Sequence, residues 1–383
     1  MDVTTAMPVS ILRGGTSRGV FFRPTDLPPA REDVEKILLD VLGSPDKRQI
    51  NGLGGATSLT SKVAIVGPSA TDDADVDYTF AQVDVTRPIV DWGGNCGNIS
   101  SAVGPFAIDT HLVSATEPMT TVRIRNVNTQ KIIVAHVPVV DGHAVTEGSY
   151  AIAGVPGTGA RIGLDFVEPG GSTSGKLLPT GNARDWVTLP DGRVIEVSLV
   201  DAANPVVFVR ASDLLVAPDI SPAEMEAHPQ LIETMQYLRG VGALWLGLVD
   251  DPVNAWTLSP GLPKVSLVSP WTDRDLPAGS DFGIVGRVLS MGKPHQSFGV
   301  THGIATGAAA RIDGTLVNES ARLTVDRRDR FTLAIGHPTG VMDVVVSSTD
   351  GPEGLTIDGV EVGRTARHIL DGTVWLTTET TAA

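Results

Sequence analysis

The amino-acid sequence predicts an α+β fold of two pseudo-symmetric domains, each a curved, mostly antiparallel sheet around a central helix. Three observations lead to this prediction. The chain has 383 residues, which is more than a single hydrophobic core usually holds. Each half contains runs that alternate apolar and polar residues, as half-buried antiparallel strands do. Each half also contains one helix-like run of small residues, which suits a central helix because a sheet can approach it closely.

The two runs of small residues form a faint internal repeat. Residues 95–104 read Asn-Cys-Gly-Asn-Ile-Ser-Ser-Ala-Val-Gly, and residues 301–310 read Thr-His-Gly-Ile-Ala-Thr-Gly-Ala-Ala-Ala. In both, a polar side chain and a glycine precede the small residues. Because a helix N-terminus attracts anions, two such helices facing each other would build an anion-binding cleft between the domains.

The chain begins with a predicted strand, loop and strand over residues 8–23. The loop, Arg13–Gly19, is rich in glycines and hydroxyls, and its backbone amides with Thr16 and Ser17 are suited to wrap a carboxylate. A wide hairpin that binds nothing would account for the same residues.

A helix is predicted next over residues 31–42, because apolar residues recur on one face and Gly43 supplies a stop signal. A flexible loop then enters a strand that begins near Lys62. A lysine in this place is usually a surface residue with a buried stem, but its small hydroxyl-bearing neighbours also allow it to project into a site. Further strands are predicted over 76–85, 88–90, 122–125 and 131–136.

The only cysteine, Cys96, lies in a Gly/Asn-rich turn. This turn follows the predicted strand at 88–90 and precedes the first small-residue helix. A helix start offers unpaired N–H groups and a partial positive charge, so this position favours a reactive thiolate. A small buried hydrophobe is the commonest alternative for a free cysteine. Local composition leaves both interpretations open.

The second half begins after a glycine-rich link over residues 168–182, which we take as the domain boundary. Strands are predicted around 195–199 and 205–210. A helical insert follows, in which Ser221 and Glu224 form a capping box and a further helix runs from Pro229 to Gly240. The remaining predictions are a strand at 265–268, a helix from Ile304 to Ile312, and strands at 331–335, 342–346, 356–362 and 373–376.

Composition narrows the classes of function. The net charge of −15 and an aromatic content of 5% argue against nucleic acid and anionic membrane surfaces as partners. No apolar run approaches the ~18 residues of a membrane span, and the N-terminus shows no signal-peptide pattern. One cysteine allows no intrachain disulfide, so we expect a cytoplasmic protein. The sequence shows neither metal-ligand spacing nor a dinucleotide fingerprint, so we expect no metal and no cofactor.

Seven segments, spread over nearly the whole chain, carry a resemblance to a known family. They are Arg13–Gly19, Gly54–Lys62, Asn95–Asn98 running to Gly104–Ala107, Leu177–Asn182, Ala203–Pro205, Met291–His295 and Gly336–Gly340. In these segments the sequence resembles the methylaconitate isomerase-like (PrpF) branch of the diaminopimelate epimerase fold. The resemblance implies an N-terminal domain over 1–182, a C-terminal domain over 183–367, and a last strand at about 368–383 that returns to the first domain.

The resemblance also implies the residues that carry the chemistry. It places a catalytic cysteine at Cys96 and a catalytic lysine at Lys62, which would remove and return an allylic proton of an unsaturated di- or tricarboxylate. Donors that stabilise the dienolate make such a proton removable. The expected substrate-binding residues are Thr16, Ser17, Asn95, Gly97, Asn98, Asn204, Lys293, His302 and Gly303.

The sequence departs from the related epimerases and from the usual family pattern. The epimerases have a second catalytic cysteine, where this chain has His302 or Thr301. Two-thiol racemisation is therefore not expected, and His302 is assigned either to capping the helix and binding a carboxylate or to proton transfer. Arg18 stands where lysine is more usual, which suggests a shifted substrate preference.

Several functions stay open at this stage. The leading hypothesis is a cofactor-independent isomerase of the 2-methylaconitate type. A 4-oxalomesaconate-type tautomerase and an aconitate or itaconate Δ-isomerase differ from it in substrate rather than in mechanism. A cysteine hydrolase would need a histidine base near Cys96, which no local motif supplies. A non-catalytic carboxylate-binding protein is the alternative of another class, and a homodimer is left open.

Overall fold

The computed structural model describes residues 5–271, 275–321, 329–352 and 354–377. The chain forms two compact units, Met1–Leu164 with Arg364–Ala383, and Asp165–Gly363. The boundaries expected from the sequence, at 182 and 367, lie later in the chain than these. The last strand pairs with the first strand inside the first unit, and the end of its expected range, residues 378–383, lies outside the described residues.

The regular elements alternate along the chain. The strands are β1 Ala6–Gly14, β2 Ser17–Phe22, β3 Lys62–Pro68, β4 Val76–Val83, β5 Val90–Asp91, β6 Met119–Asn126, β7 Lys131–Val140, β8 His143–Ala144, β9 Ile162–Val167, β10 Asp185–Thr188, β11 Val194–Ala202, β12 Asn204–Arg210, β13 Lys264–Pro270, β14 Phe282–Ser290, β15 Lys293–Pro294, β16 Arg330–His337, β17 Gly340–Gly351, β18 Gly354–Arg364 and β19 Ala366–Trp375. The helices are α1 Arg31–Leu42, α2 Gly97–Asp109, α3 Pro222–Glu226, α4 Pro229–Trp245, α5 Ala255–Leu258, α6 Val300–Arg311 and α7 Leu316–Ala321.

The strands of the two units pair in the same order and with the same directions. In the first unit, β1–β2, β3–β4 and β6–β7 are antiparallel, while β2–β3 and β4–β6 are parallel. In the second unit, β11–β12, β13–β14 and β16–β17 are antiparallel, while β12–β13 and β14–β16 are parallel. The parallel pairs are joined by helical crossovers, as parallel neighbours require. The predicted α+β fold of two pseudo-symmetric, mostly antiparallel halves is therefore confirmed.

Each unit has one buried central helix, as the small residues predicted. In α2 every residue except Asp109 is buried, and in α6 all residues are buried. The small residues matter because the sheet lies close to the helix. A Cβ added at Gly104 would lie 2.8 Å from Cγ2 of Val137 on β7, and one added at Gly307 would lie 2.9 Å from Cγ2 of Val346 on β17.

Local signals predicted several elements correctly. Helix α1 ends at Gly43, which adopts the left-handed conformation with φ of 74° that glycine permits at a helix C-terminus. The capping box of Ser221 and Glu224 is present at the start of α3. Strand β3 begins at Lys62. Each of these signals depends on only a few neighbouring residues. The tertiary packing left the predicted element ends in place.

Three predictions were wrong. The loop Arg13–Gly19 is a tight hairpin, since Gly14 pairs with Ser17 and both arginines lie in strands. Helix α4 continues past the predicted end at Gly240 to Trp245. A Cβ at Gly240 would lie 2.4 Å from the carbonyl oxygen of Pro252, so this glycine provides a close contact inside the helix.

The third error concerns the second central helix. The sequence predicts its start at Gly303 and Ile304, but α6 begins at Val300, with Gly299 at the N-cap position. Strand β14 and helix α7 were not predicted either. Residues of β14 are buried on both faces, so that strand shows none of the alternation by which half-buried strands are recognised.

Candidate active site

The tight hairpin between β1 and β2 packs directly on the first turn of α2. Asn98 clasps Thr16, because its Oδ1 accepts the backbone N–H of Thr16 at 3.3 Å and its Nδ2 donates to Thr16 Oγ1 at 3.1 Å. The approach needs glycine, since a Cβ at Gly15 would lie 2.1 Å from Asn98 Oδ1. Two predicted ligands, Thr16 and Asn98, are thus brought together, but their side chains bind each other.

Lys62 is the first residue of β3, and its side chain is held at one place in the interior. Its residue is 8% exposed, and its Nζ donates to Gln82 Oε1 at 2.5 Å. The same Nζ lies 5.2 Å from the ring centroid of Phe80. A buried ammonium needs such partners because desolvation disfavours its charge. The interpretation of Lys62 as a solvent-facing lysine is therefore wrong.

Gln82 is itself oriented by the backbone. It lies directly opposite Lys62 in the β3–β4 pair. Its Nε2 donates to the carbonyl oxygens of Ser61 at 2.8 Å and Ser58 at 3.3 Å. Because both donors of the amide are used, its Oε1 is left to face the lysine. Gln82 therefore positions the amine.

Cys96 is the N-cap residue of α2, as the sequence predicted. Its backbone is extended, with φ of −117° and ψ of 94°, and it is partly exposed. Its carbonyl oxygen accepts the N–H of Ser100 at 2.9 Å, which is the first helical hydrogen bond. The N–H groups of Gly97 and Asn98 precede that bond and have no partner within the helix, so this helix start offers donors to an anion.

The side chain of Lys62 contacts residues that lie on one face of β4. Tyr78, Phe80 and Gln82 alternate along this strand and share a face. Burial raises the pKa of the Tyr78 hydroxyl well above its usual value, and the negative charge of Cys96 raises that pKa further. Lys62 contacts Phe80 and Gln82 on this face, and α2, which begins directly after Cys96, packs on β3 and β4.

Two further predicted ligands, Ser17 and Asn95, are buried. Ser17 is 2% exposed, and among the described residues its hydroxyl has no hydrogen-bond partner. Such a buried hydroxyl is costly unless a ligand or water completes it. Asn95 is also buried, and its Oδ1 accepts from Ser100 Oγ at 3.3 Å.

In the second unit, the start of β12 meets the first turn of α6. Asn204 donates from Nδ2 to Thr301 Oγ1 at 3.1 Å, which parallels the Asn98–Thr16 clasp of the first unit. Lys293 lies on β15 and is exposed. Within this unit the structure therefore brings Asn204 near the helix start and leaves Lys293 at the surface.

His302 and Gly303 occupy other positions than the sequence predicted. His302 lies within the first turn of α6, where it cannot be the cap, and it is 4% exposed. Its ring centroid lies 5.8 Å from that of Phe298. Gly303 already donates its N–H to the carbonyl of Gly299. The N–H groups before that bond belong to Val300, Thr301 and His302, so Gly303 is not an amide donor for a ligand.

Sequence reasoning missed Gln82 and Tyr78. Both residues lie at buried positions of β4, next to apolar residues. A polar side chain at a core-facing position of a predicted strand is the signal that indicates such residues. Their pairing with Lys62 and Cys96 depends on strand register and helix placement, which no local pattern contains.

Replacing Gln82 by Leu is expected to lower kcat by about 10- to 100-fold with little change in KM, because a misplaced reacting group loses its near-attack geometry. The matched control is Gln130→Leu, since Gln130 is an exposed glutamine whose Nε2 donates only to the carbonyl of Val127. The pH–rate profile should shift in Gln82→Leu as well. A variant with the kcat and pH profile of the wild type would contradict the positioning role.

Within the described part of the chain, no three His, Cys, Asp or Glu residues are grouped so as to hold a metal ion. None of the helices in that part is long and apolar enough to cross a membrane.

Comparison with known proteins identifies full-length relatives. The family model described as PrpF protein matches residues 4–377. The chain is 43% identical to 3-methylitaconate isomerase of Eubacterium barkeri, with 97% of both chains covered. It is 40% identical to 4-oxalomesaconate tautomerase of Pseudomonas putida, with 98% of both chains covered. It is 35% identical to 2-methyl-aconitate isomerase of Shewanella oneidensis, with 95% of both covered.

Solved structures agree with this result. The structure of a methylitaconate Δ-isomerase superposes with a TM-score of 0.76 at 41% identity, covering 99% of this chain and 97% of the other. A hydroxyproline epimerase from Agrobacterium vitis superposes with a TM-score of 0.58 at 13% identity, covering 98% and 94%. At that identity the second comparison concerns the fold alone, which is shared with the epimerases.

Proposed function

Since the chain belongs to the PrpF family, we propose that it is an isomerase that shifts a double bond, or changes its geometry, in an unsaturated di- or tricarboxylate. The observation that carries this proposal is the surface of β4, on which Gln82 holds Lys62, while Cys96 lies at the start of α2, the helix that packs on β3 and β4. An amine and a thiol can supply the two proton transfers that such a reaction needs.

The proposed reaction balances with these groups alone. One of the pair takes a proton from the carbon next to the double bond, and the electron pair spreads over the conjugated carboxylate as a dienolate. A proton is then returned at the other end of the allylic system, which moves the double bond. Rotation within the dienolate before the proton returns would change the cis–trans geometry. No redox change occurs, so the proposal requires no organic cofactor.

The developing negative charge needs donors. In the first unit, the amides of Gly97 and Asn98 and the hydroxyl of Ser17 are the groups proposed to stabilise it. Asn204, Lys293 and His302 remain proposed carboxylate ligands, with His302 assigned to binding. A cytoplasmic location remains part of this proposal, on the strength of the single cysteine.

The proposal is tested with three acids named for the relatives: 3-methylitaconate, 2-methylaconitate and 4-oxalomesaconate. In heavy water, the protein should convert at least one of them, and proton NMR should show deuterium at the carbon that receives the returned proton. Protein alkylated by iodoacetamide at Cys96, its only cysteine, should lose the activity. If the intact protein binds these acids but converts none, it is a carboxylate-binding protein. Conversion that survives complete alkylation would remove Cys96 from the mechanism.

A further inference from the structure

The first unit contains a cavity that lies apart from the candidate active site, since neither Cys96 nor Lys62 lines it. Its volume is about 990 Å³, in the upper range of small-molecule pockets. One wall is the β1–β19 strand pair, represented by Arg13 and Arg367, with Thr365 directly before β19. The other wall is the segment 146–158 that leads to β9. The proposed reaction assigns this cavity no role.

Two arginines stand side by side on the strand wall. Arg13 on β1 lies directly opposite Arg367 on β19 in the antiparallel register. Like charges in this arrangement destabilise a strand pair. Burial, and then the charge of Arg367, lower the pKa of the Arg13 guanidinium. Arg13 is partly buried and Arg367 is exposed, so the fold places two positive charges side by side at the mouth of this cavity, in a chain whose net charge is −15.

No acidic side chain in the described residues neutralises this pair. Glu147 is the one carboxylate in the lining, and within the described residues no ion pair joins it to either arginine. Arg13 is anchored through Nη1, which donates to the carbonyl oxygens of Gly15 and Thr365, each at 2.9 Å, and to Thr365 Oγ1 at 3.1 Å. Its Nε and Nη2 make no hydrogen bond to a described residue, so these donors remain for a ligand.

Backbone hydrogen bonds hold the segment 146–158, which forms the second wall, in a fixed loop. Tyr150 and Gly159 exchange two hydrogen bonds of 3.0 and 2.9 Å, and the N–H of Ala160 donates to the carbonyl of Thr146 at 3.0 Å. The base of the loop packs on the residue between β18 and β19, since a Cβ at Gly159 would lie 3.3 Å from the side chain of Thr365. The cavity is therefore preformed, which lowers the entropic cost of binding.

The remaining lining combines four apolar residues with two threonines and two glycines. Ile152, Val155 and Pro156 of the loop and Ile369 of β19 line the cavity. Inorganic anions gain nothing from such walls, whereas the carbon chain of an organic acid does. Two adjacent guanidiniums can each bind one carboxylate in a bidentate manner.

We propose that this cavity is a second ligand site, which binds a small organic dicarboxylate through Arg13 and Arg367. The carbon chain of the ligand lies against the apolar wall, and Glu147 limits the affinity by repulsion. This site is independent of the proposed reaction, because it uses none of the residues assigned to that reaction.

Isothermal titration calorimetry on the full-length protein tests the proposal, with Cys96 first alkylated by iodoacetamide so that the active site is blocked. Glutarate should bind with a stoichiometry of one, and acetate and inorganic phosphate at least tenfold more weakly. Arg367→Gln should weaken glutarate binding about tenfold or more, because a charge-assisted pair is lost. Glu147→Gln should tighten it severalfold, which loss of structure would not do.

Arg193→Gln is the matched control, because Arg193 is a surface arginine of the second unit paired with Asp191, and it should bind glutarate like the parent protein. Circular dichroism melting curves would confirm that each variant is folded. The proposal is overturned if the alkylated protein does not bind glutarate, if Arg367→Gln binds it unchanged, or if phosphate binds more tightly than glutarate.

Discussion

Replacing Lys62 by Met or Cys96 by Ala is expected to lower kcat by about 100- to 10,000-fold in each case, which is the range for loss of a general acid or base. In the proposed mechanism the two groups serve one proton path, so the double variant should be little worse than either single variant. Rates measured on the acid that the protein converts, for all four proteins of this cycle, check the expectation.

Methionine is chosen at position 62 because we expect the Lys62→Met variant to fold. Lys62 is buried against the ring of Phe80, and a methionine sulfur packs well beside an aromatic ring. Lys131→Met is the matched control, since Lys131 begins another strand of the same unit, is only partly buried, and should keep full activity. Losses that multiply in the double variant would show that the thiol and the amine act independently.

Replacing Gly15 by Ala is expected to cost about 3 kcal/mol of unfolding free energy, the sum of left-handed backbone strain and overpacking. Gly15 has φ of 51°, and an added Cβ would lie 2.1 Å from Asn98 Oδ1. Asn98 would have to rotate away, which breaks its clasp on Thr16 and disturbs the start of α2. We therefore expect kcat/KM to fall together with stability.

Gly142→Ala separates the two causes. Gly142 also has a positive φ, of 76°, but no atom lies within 4 Å of the added Cβ. This variant should cost about 1–2 kcal/mol through backbone strain alone and leave the activity unchanged. Urea unfolding curves measure the difference between the variants. If both lose the same free energy, the hairpin can move away from the helix and the proposed close packing is not maintained.

Features that depend on a few neighbouring residues were predicted well. The end of α1 at Gly43, the capping box at Ser221, the start of β3 at Lys62 and the N-cap position of Cys96 are examples. In each case the residue type and its immediate neighbours determine the conformation. The length and the small-residue runs were enough to predict two similar halves with central helices.

Predictions that depended on aligning distant segments did less well. Matching Asn95–Gly97 with Thr301–Gly303 placed the start of α6 too late, because small residues match in several registers. By helix position, Gly299 rather than His302 is the counterpart of Cys96. The hairpin between Arg13 and Arg18 was also predicted too long, since glycine and hydroxyl residues are compatible with both tight and wide turns.

The sequence by itself therefore determined the fold class, the family resemblance and the two candidate catalytic groups, because these are carried by residue types and short motifs. Only the tertiary structure decided that Gln82 holds Lys62, that α2 with Cys96 at its start packs on β4, and that Arg13 stands opposite Arg367. Each of these pairs joins residues on different elements. Their distance is determined by strand register and helix packing, which arise when the whole unit buries its apolar surface.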